Sequence, residues 1–253
     1  IVLEDKETAQ RMDVALLDLY SSSFVPAKGQ VEYKKVAVVN RLKLKLTGAS
    51  ALDPAPNRRQ KVVEKGEKHI VLEIIACPAA APEPADETYS SCNADVPCDV
   101  DEFVKQAAKI TASATTEGEK ALAISSWVHA HFKYALGAGG GTGDHILKEK
   151  TGDCTEFSKA MVVLARAAGL PTRQVSGVVL ASGDPASFGY HAWVEVWLPK
   201  EGWTAFDPTW GNHPVDATHI VFDIDQGLQM AAHMGELSIE LLEVEYPADH
   251  TVG

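Results

Sequence analysis

Hydrophobic and polar positions alternate with a period of two over much of the first 80 residues. Between Arg41 and Leu46, leucine alternates with arginine or lysine at every position. This period is typical of strands that have one buried face. We therefore predict strands over residues 31–46, 60–63 and 69–76, and a short helix over residues 13–20.

From Asp99 onward the hydrophobic positions change to helical spacing, with acidic residues near the start of the pattern as candidate caps. Helices are predicted over residues 99–110, 117–134 and 157–168. Gly169 and Pro171 follow the third helix and are typical stop signals. Strands are predicted over residues 174–180, 191–198 and 202–207, and a last strand at the end of segment 220–246.

A proline- and alanine-rich stretch at residues 78–87 separates these two patterns and is predicted to be a linker or an extended surface loop. We predict a β-rich N-terminal domain over residues 1–98 and a second unit over residues 99–253. A chain of 253 residues is long enough for two modest domains.

Composition narrows the classes of partner. The net charge of -12 argues against nucleic acid or an anionic membrane, because phosphate binding needs clustered lysine and arginine. No apolar run approaches the ~18–20 residues that a membrane-spanning helix needs. The first residue is Ile1 and not methionine, so we expect the ordered chain to follow a removed leader or an artificial segment. The oligomeric state is left open.

The four cysteines are Cys77, Cys92, Cys98 and Cys154. If Cys154 is a free nucleophile, two of the other three can form a disulfide in an oxidising compartment, and the alternative is three reduced thiols. A zinc site is less favoured because Cys92 and Cys98 lack tight ligand spacing. The five glycines between Gly137 and Gly143 predict a loop without the phosphate-binding pattern, and no cofactor is expected.

Cys154 stands where a loop becomes a helix, after Thr151-Gly152-Asp153. Asp153 or Thr151 can cap that helix. The unpaired N–H groups and the dipole at a helix N-terminus stabilise a thiolate, which is the nucleophile, and can bind a developing oxyanion. Gly152 would let a substrate backbone approach closely. The alternative is a buried structural cysteine.

A histidine and an aspartate follow on a predicted hairpin. If the turn is centred on Pro199, His191 and Asp207 are equidistant from it and lie opposite each other on one face. A bulge or a different register would move them by a step. An aspartate beside a histidine selects its tautomer and stabilises the imidazolium. The alternatives are a structural histidine and a turn-capping carboxylate.

Four segments carry a family resemblance. They are Gly152-Asp153-Cys154-Thr155-Glu156-Phe157-Ser158, Ala168-Gly169-Leu170-Pro171-Thr172-Arg173, His191-Ala192-Trp193-Val194-Glu195-Val196 and Trp203-Thr204-Ala205-Phe206-Asp207-Pro208-Thr209. Together they resemble the core of the transglutaminase-like superfamily over roughly residues 100–245.

The resemblance implies a papain-like α+β fold in which helices pack on an antiparallel sheet, preceded here by the β-rich domain. It also implies Cys154 as nucleophile, His191 as base and Asp207 as the residue that orients the histidine. Trp127 and Tyr134 are candidates for the oxyanion partner. Gly152, Asp153 and Trp193 are further candidates for contact with substrate.

The expected activity is thiol-dependent hydrolysis or acyl transfer at peptide or side-chain amide bonds, through a thioester. A cysteine peptidase or amidase acting on a protein or peptide is favoured. The alternatives are a protein-glutamine γ-glutamyltransferase that cross-links, a non-catalytic binding module that keeps the fold, and a Cys/His/Asp zinc site. The expected removal of a leader favours a periplasmic or extracellular location.

Overall fold

The computed structural model describes residues 24–29, 31, 33, 38–48, 54, 57–79, 85–137, 141–181, 185–211, 215–224 and 236–247, with side chains omitted at 223 and 224. The helix predicted over residues 13–20 lies outside these ranges. None of the described helices is both long and apolar enough to cross a bilayer.

The N-terminal region is built from strands, as its two-residue period predicts. They are β1 (Phe24–Lys28), β2 (Arg41–Thr47), β3 (Gln60–Lys65) and β4 (His69–Ile75). The leucines of β2 are buried and the intervening basic residues are half-exposed. Of the strand predicted over residues 31–46, residues 32 and 34–37 lie outside the described ranges, and the described strand begins at Arg41. Before it, the backbone of Val39 bonds instead to the Asp216 carboxylate and to Ala217.

Four α-helices are described, namely α1 (Asp101–Ile110), α2 (Glu117–His131), α3 (Gly143–Glu149) and α4 (Cys154–Ala167). A 3₁₀ helix spans Glu87–Ser90. The helix predicted over residues 117–134 ends at His131, because the chain becomes extended at Phe132. The helix predicted over residues 157–168 begins three residues earlier, since Asp153 caps it. The sequence did not predict α3.

Seven more strands complete the described elements: β5 (Lys133–Tyr134), β6 (Thr151–Gly152), β7 (Thr172–Ala181), β8 (Ser187–Leu198), β9 (Gly202–Phe206), β10 (His219–Ile224) and β11 (Ser238–Glu245). The main sheet of the described chain has nine strands in the order β10-β7-β8-β1-β11-β2-β4-β3, and β9 also pairs with β8. Only β1 and β11 pair in parallel within it, and β5 and β6 form a separate parallel pair.

The C-terminal strand β11 lies between β1 and β2, so the end of the chain completes the N-terminal half of the sheet. Side chains that alternate along β8 serve two different clusters. Val194 and Val196 join the core that contains the helices, whereas Trp193 packs in a small cluster with Val175, Ala205, Val215 and Val221. The fold is α+β, as the sequence predicts, and the division at residues 98 and 99 stays a prediction.

A disulfide joins Cys92 to Cys98 across a Cα–Cα distance of 5.2 Å, while Cys77 and Cys154 are free. The expectation of one bridge among the first three cysteines is thereby confirmed. Its loop closes the turn that leads into α1, immediately before the helical core.

We expect protein purified without reductant to take up two alkyl groups under denaturing conditions, on Cys77 and Cys154. After reduction it should take up four, because the bridge then opens. Intact mass measurement gives both numbers, and Cys77→Ser should lower each by one. Four labels without reductant would contradict the bridge.

Candidate active site

Cys154 is the first residue of α4 and is buried, with 8 % of its surface exposed. The Asp153 carboxylate accepts from the N–H of Thr155 at 2.9 Å, and Glu156 accepts from the N–H of Asp153 at 2.9 Å. The Asp153 carboxylate also accepts from the N–H of Glu156, which completes a capping box in which each side chain bonds the other residue's backbone. Asp153 is therefore the cap, and it places the thiol at the helix N-terminus.

Gly152 makes room for that capping box. A Cβ added at Gly152 would lie 2.6 Å from Glu156 Oε2 and closer still to the carbons of that side chain. Burial raises the pKa of the Glu156 carboxyl, and its backbone hydrogen bond from Asp153 opposes this shift. The space beside Gly152 is thus filled by Glu156, whereas the sequence had suggested an approaching substrate there.

His191 and Asp207 lie on β8 and just after β9. Leu198 pairs with Gly202 and Val194 with Phe206, so the turn is centred on residue 200 and not on Pro199. The register predicted from the sequence is therefore wrong, and Asp207 falls diagonally from His191. The shift is an even number of residues, so both side chains remain on the same face of the sheet. Long side chains of diagonal neighbours on one face can reach each other. His191 Nε2 lies 3.0 Å from Asp207 Oδ2.

The Asp207 carboxylate is completely buried and accepts from four groups. Its Oδ1 accepts from the N–H of Thr209 at 2.9 Å and of Trp210 at 3.2 Å. Its Oδ2 faces Nε2 of His191 and, at 3.4 Å, Nε2 of His219. Burial by itself raises the pKa of Asp207, but the two histidines outweigh this and hold it far below its usual range.

An ionised carboxylate can only accept, so Nε2 of His191 carries a proton and Nδ1 is the nitrogen left for the thiol. Burial by itself lowers the pKa of His191. The charge of Asp207 and its hydrogen bond, together with a hydrogen bond to the Cys154 side chain, outweigh burial and raise the pKa to about 9. The structure therefore brings Cys154, His191 and Asp207 together in that order.

Two indole rings enclose the His191 ring. Trp210 stacks on it with ring centroids 4.9 Å apart and remains 41 % exposed. Trp193 stacks at 6.1 Å and is fully buried, so its contacts support a packing role beneath the histidine. The exposed Trp210 is the indole that faces solvent beside the histidine.

The two candidates for an oxyanion partner occupy different places. Tyr134 pairs with Gly152 in the short parallel ladder and is 53 % exposed, which places its backbone beside the residue two positions before Cys154. Trp127 stacks on His131 at 4.5 Å with the Lys150 ammonium 5.3 Å from its ring. The register thus ties Tyr134, and not Trp127, to the segment that precedes the thiol.

His219 is the residue of this site that was not found from the sequence. It is buried at the start of β10, and its Nε2 shares Asp207 Oδ2 with His191. Burial by itself lowers its pKa, and hydrogen bonds to Asp207 and Asp216 outweigh burial and raise it. No sequence motif surrounds His219, and no local pattern in the sequence indicates that it lies beside Asp207.

Ligand atoms of His191, Asp207 and His219 lie within 4.8 Å of one another, which is a possible metal-binding arrangement. Cys154 is not part of this group, so it differs from the Cys/His/Asp zinc site considered from the sequence. The Asp207 oxygen that a metal would use is the acceptor of both histidines. Hydrogen bonding accounts for these contacts with no ion.

Residues 104–208 match the family model of the Transglutaminase-like superfamily. The matched stretch contains Cys154, His191 and Asp207, and the match confirms the resemblance drawn from the motifs.

Two bacterial relatives match part of the chain. A protein-glutamine gamma-glutamyltransferase of Pseudomonas aeruginosa is 36% identical over 115 residues, which are 41% of this chain and 16% of that protein. YebA of Bacillus subtilis, an uncharacterized protein, is 40% identical over 79 residues, 26% of this chain and 10% of its own length. The chain therefore spans less than a fifth of either relative.

Two solved structures share the fold over most of this chain. The periplasmic domain of TgpA from Pseudomonas aeruginosa aligns with a TM-score of 0.52 and 16% identity, covering 79% of this chain and 95% of that one. A protein of Cytophaga hutchinsonii named as a candidate cysteine protease aligns with a TM-score of 0.53 and 14% identity, covering 82% and 86%. At these identities the likeness concerns the fold.

Proposed function

We propose that this protein is a thiol enzyme that cleaves or transfers acyl groups at peptide or side-chain amide bonds. Cys154 is the nucleophile, His191 the general base and acid, and Asp207 the group that orients His191. The observation that carries the proposal is the continuous set of contacts from the helix-terminal thiol to the buried carboxylate. Family members are generally enzymes, which supports an active site over a binding module.

The reaction follows from the geometry. Transfer of the thiol proton to His191 Nδ1 gives a thiolate and an imidazolium. The sulfur then attacks the amide carbonyl carbon, so a C–S bond forms while the C=O double bond opens to an oxyanion. The oxyanion collapses, the C–N bond breaks, and His191 returns its proton to the leaving amine. A thioester remains on Cys154. Water, or a second amine, then attacks it with His191 again as base, and the C–S bond breaks.

The oxyanion needs donors close to the sulfur. The Asp153 side chain already accepts from the N–H groups of Thr155 and Glu156. Of the N–H groups at the helix start, that of Cys154 itself is therefore the one we assign to the oxyanion. Tyr134, beside Gly152 and largely exposed, is the second candidate donor.

Hydrolysis is the favoured outcome from the sequence, and transfer is the second candidate. The relative named as a protein-glutamine gamma-glutamyltransferase supports transfer, with a glutamine side chain as acyl donor. Incubation with a peptide library, with and without a primary amine, separates the two by mass. A loss of about 17 Da together with addition of the amine indicates transfer. A gain of about 18 Da on backbone cleavage indicates a peptidase, and a gain of about 1 Da at a side chain indicates an amidase. No reaction with any peptide supports a binding module.

We expect kcat/KM to fall at alkaline pH with a midpoint near pH 9. The pKa of His191 lies above its usual value, so the imidazolium that protonates the leaving amine persists below that pH and is lost above it. A pH–rate profile measures the limb. In Asp207→Asn the limb should move to lower pH because the negative charge is removed, and an unmoved limb would contradict the assignment.

We also propose a periplasmic or extracellular location. The Cys92–Cys98 disulfide fits an oxidising compartment, and a structural neighbour is a periplasmic domain. Cell fractionation of the native host, with alkylation before and after reduction on each fraction, tests this.

A further inference from the structure

His219 is a buried histidine that the proposed reaction does not use. Its Nε2 lies 3.4 Å from Asp207 Oδ2, on the carboxylate oxygen that also meets His191. Its ring lies 5.7 Å from the His191 ring and meets Trp193 edge-on at 5.2 Å. The site therefore has two histidines on one carboxylate, with only His191 beside the thiol.

The other edge of His219 is held by a second carboxylate. Its Nδ1 lies 3.3 Å from Thr218 Oγ1 and 3.7 Å from Asp216 Oδ1. Asp216 is itself fixed, since it accepts from the N–H of Val39 and the N–H of Thr218, each at 3.0 Å. The ring of His219 consequently spans the gap between two anchored carboxylates.

The segment that carries His219 is anchored by the N-terminal strands. The guanidinium of Arg59, which is buried, donates to the carbonyl of Asp216 and, at 3.3 Å, to that of Ile75. The Gln60 side chain donates to the Val221 carbonyl at 2.8 Å and accepts from the Val221 N–H at 3.0 Å. These contacts hold the backbone on both sides of His219.

We propose that His219 is a positioning residue for the reaction: it fixes the plane of the Asp207 carboxylate, and the N-terminal strands fix His219. The inference rests on the proposed function for its catalytic meaning. Two backbone N–H groups secure Oδ1 of Asp207, and without His219 only His191 would secure Oδ2. The carboxylate could then rotate about its anchored oxygen, and His191 would lose its fixed alignment with Cys154.

The proposal implies that the N-terminal region helps to maintain the geometry of the site. Arg59 and Gln60 belong to the part of the chain that precedes the transglutaminase-like core at residues 104–208, yet they hold the segment behind Asp207. Without these strands, the segment that carries His219 would lose the contacts of Arg59 and Gln60 with Asp216 and Val221.

The test compares His219→Leu, which removes the donor, with His219→Gln, whose amide N–H can replace Nε2. We expect kcat to fall about tenfold in His219→Leu, the size of a lost hydrogen bond to a charged group, with KM unchanged. His219→Gln should retain most of kcat. A merely structural role would lower thermal stability in both variants and leave kcat of the folded fraction unaltered.

A second readout needs no substrate. The rate at which iodoacetamide alkylates Cys154 should fall severalfold in His219→Leu, because alkylation depends on the thiolate that His191 supports. Cys77, which is free and exposed, provides the internal control, and its rate should not change. Peptide-resolved mass spectrometry follows both cysteines in one sample.

Double variants decide whether His219 acts through Asp207. If it does, His219→Leu should slow alkylation no further once Asp207→Asn is present. Independent, multiplying effects would overturn the proposal, as would stoichiometric metal in the wild type that is lost in His219→Gln. Should His219→Leu not fold, Asp216→Asn takes its place with an expected drop of about threefold, because it removes the carboxylate 3.7 Å from His219 Nδ1 and leaves the His219–Asp207 contact in place. If no amide is a substrate, the proposed function fails while the alkylation results still decide the role of His219.

Discussion

Cys154→Ala is expected to abolish hydrolysis and transfer while the protein stays folded. The sulfur is the atom that forms the thioester, and no described side chain can replace it in that bond. The helix should persist because Asp153 and Glu156, and not Cys154, form its cap. Alanine is also the best helix former. Activity on the best peptide from the library, and thermal unfolding, measure the two effects.

Cys77→Ala is the matched control, since Cys77 is also a free cysteine but is exposed and outside the site. It should retain full activity. Residual activity of Cys154→Ala within about tenfold of the wild type would sink the nucleophile assignment, because loss of a covalent nucleophile costs far more than that.

Asp207→Asn is expected to lower kcat by roughly 10²–10³, less than the ~10⁴ seen in serine triads, because a thiolate is intrinsically a stronger nucleophile. The amide keeps the shape of the carboxylate but removes the charge that stabilises the imidazolium. It can also present its N–H₂ to His191 Nε2, which favours the tautomer with the proton on Nδ1. That tautomer cannot take the thiol proton.

The expected loss falls on kcat, and KM should change little because Asp207 is completely buried and cannot contact substrate. Glu195→Gln offers a comparison on the same sheet, since Glu195 is also buried and paired, with Arg173 at 2.7 Å. That variant should affect stability and not kcat. Near-full kcat in Asp207→Asn would leave Cys154 and His191 as a dyad with a different orienting group.

Local signals in the sequence predicted much of the fold. The leucine alternation of β2, the helix that starts beside Cys154 and the stop at Gly169 are all found, with Gly169 at a φ of 81°. Each depends on residues within a few positions of one another. The contact between His191 and Asp207 was also predicted from local sequence. The predicted turn centre was wrong, but the true register differs from the predicted one by an even number of residues. The two side chains therefore still lie on the same face of the sheet.

Long-range packing determined the features of the fold that no local pattern in the sequence predicts. Trp193 lies two residues from His191 and was a candidate for contact with substrate. In the structure its cluster with Val215 and Val221 buries it completely. The insertion of β11 between β1 and β2 joins the two ends of the chain, and no local pattern encodes it.

The sequence by itself determined most of the elements, the place of Cys154 at a helix start and the face shared by His191 and Asp207, because period, caps and parity are properties of neighbouring residues. The tertiary structure alone decided that His219 shares Asp207 and that Arg59 and Gln60 stand behind it. The contacts of Arg59 and Gln60 join residues more than 150 positions apart along the chain. The contact of His219 with Asp207 joins β10 to the residue that follows β9. Only burial against a common core brings such groups within hydrogen-bonding distance.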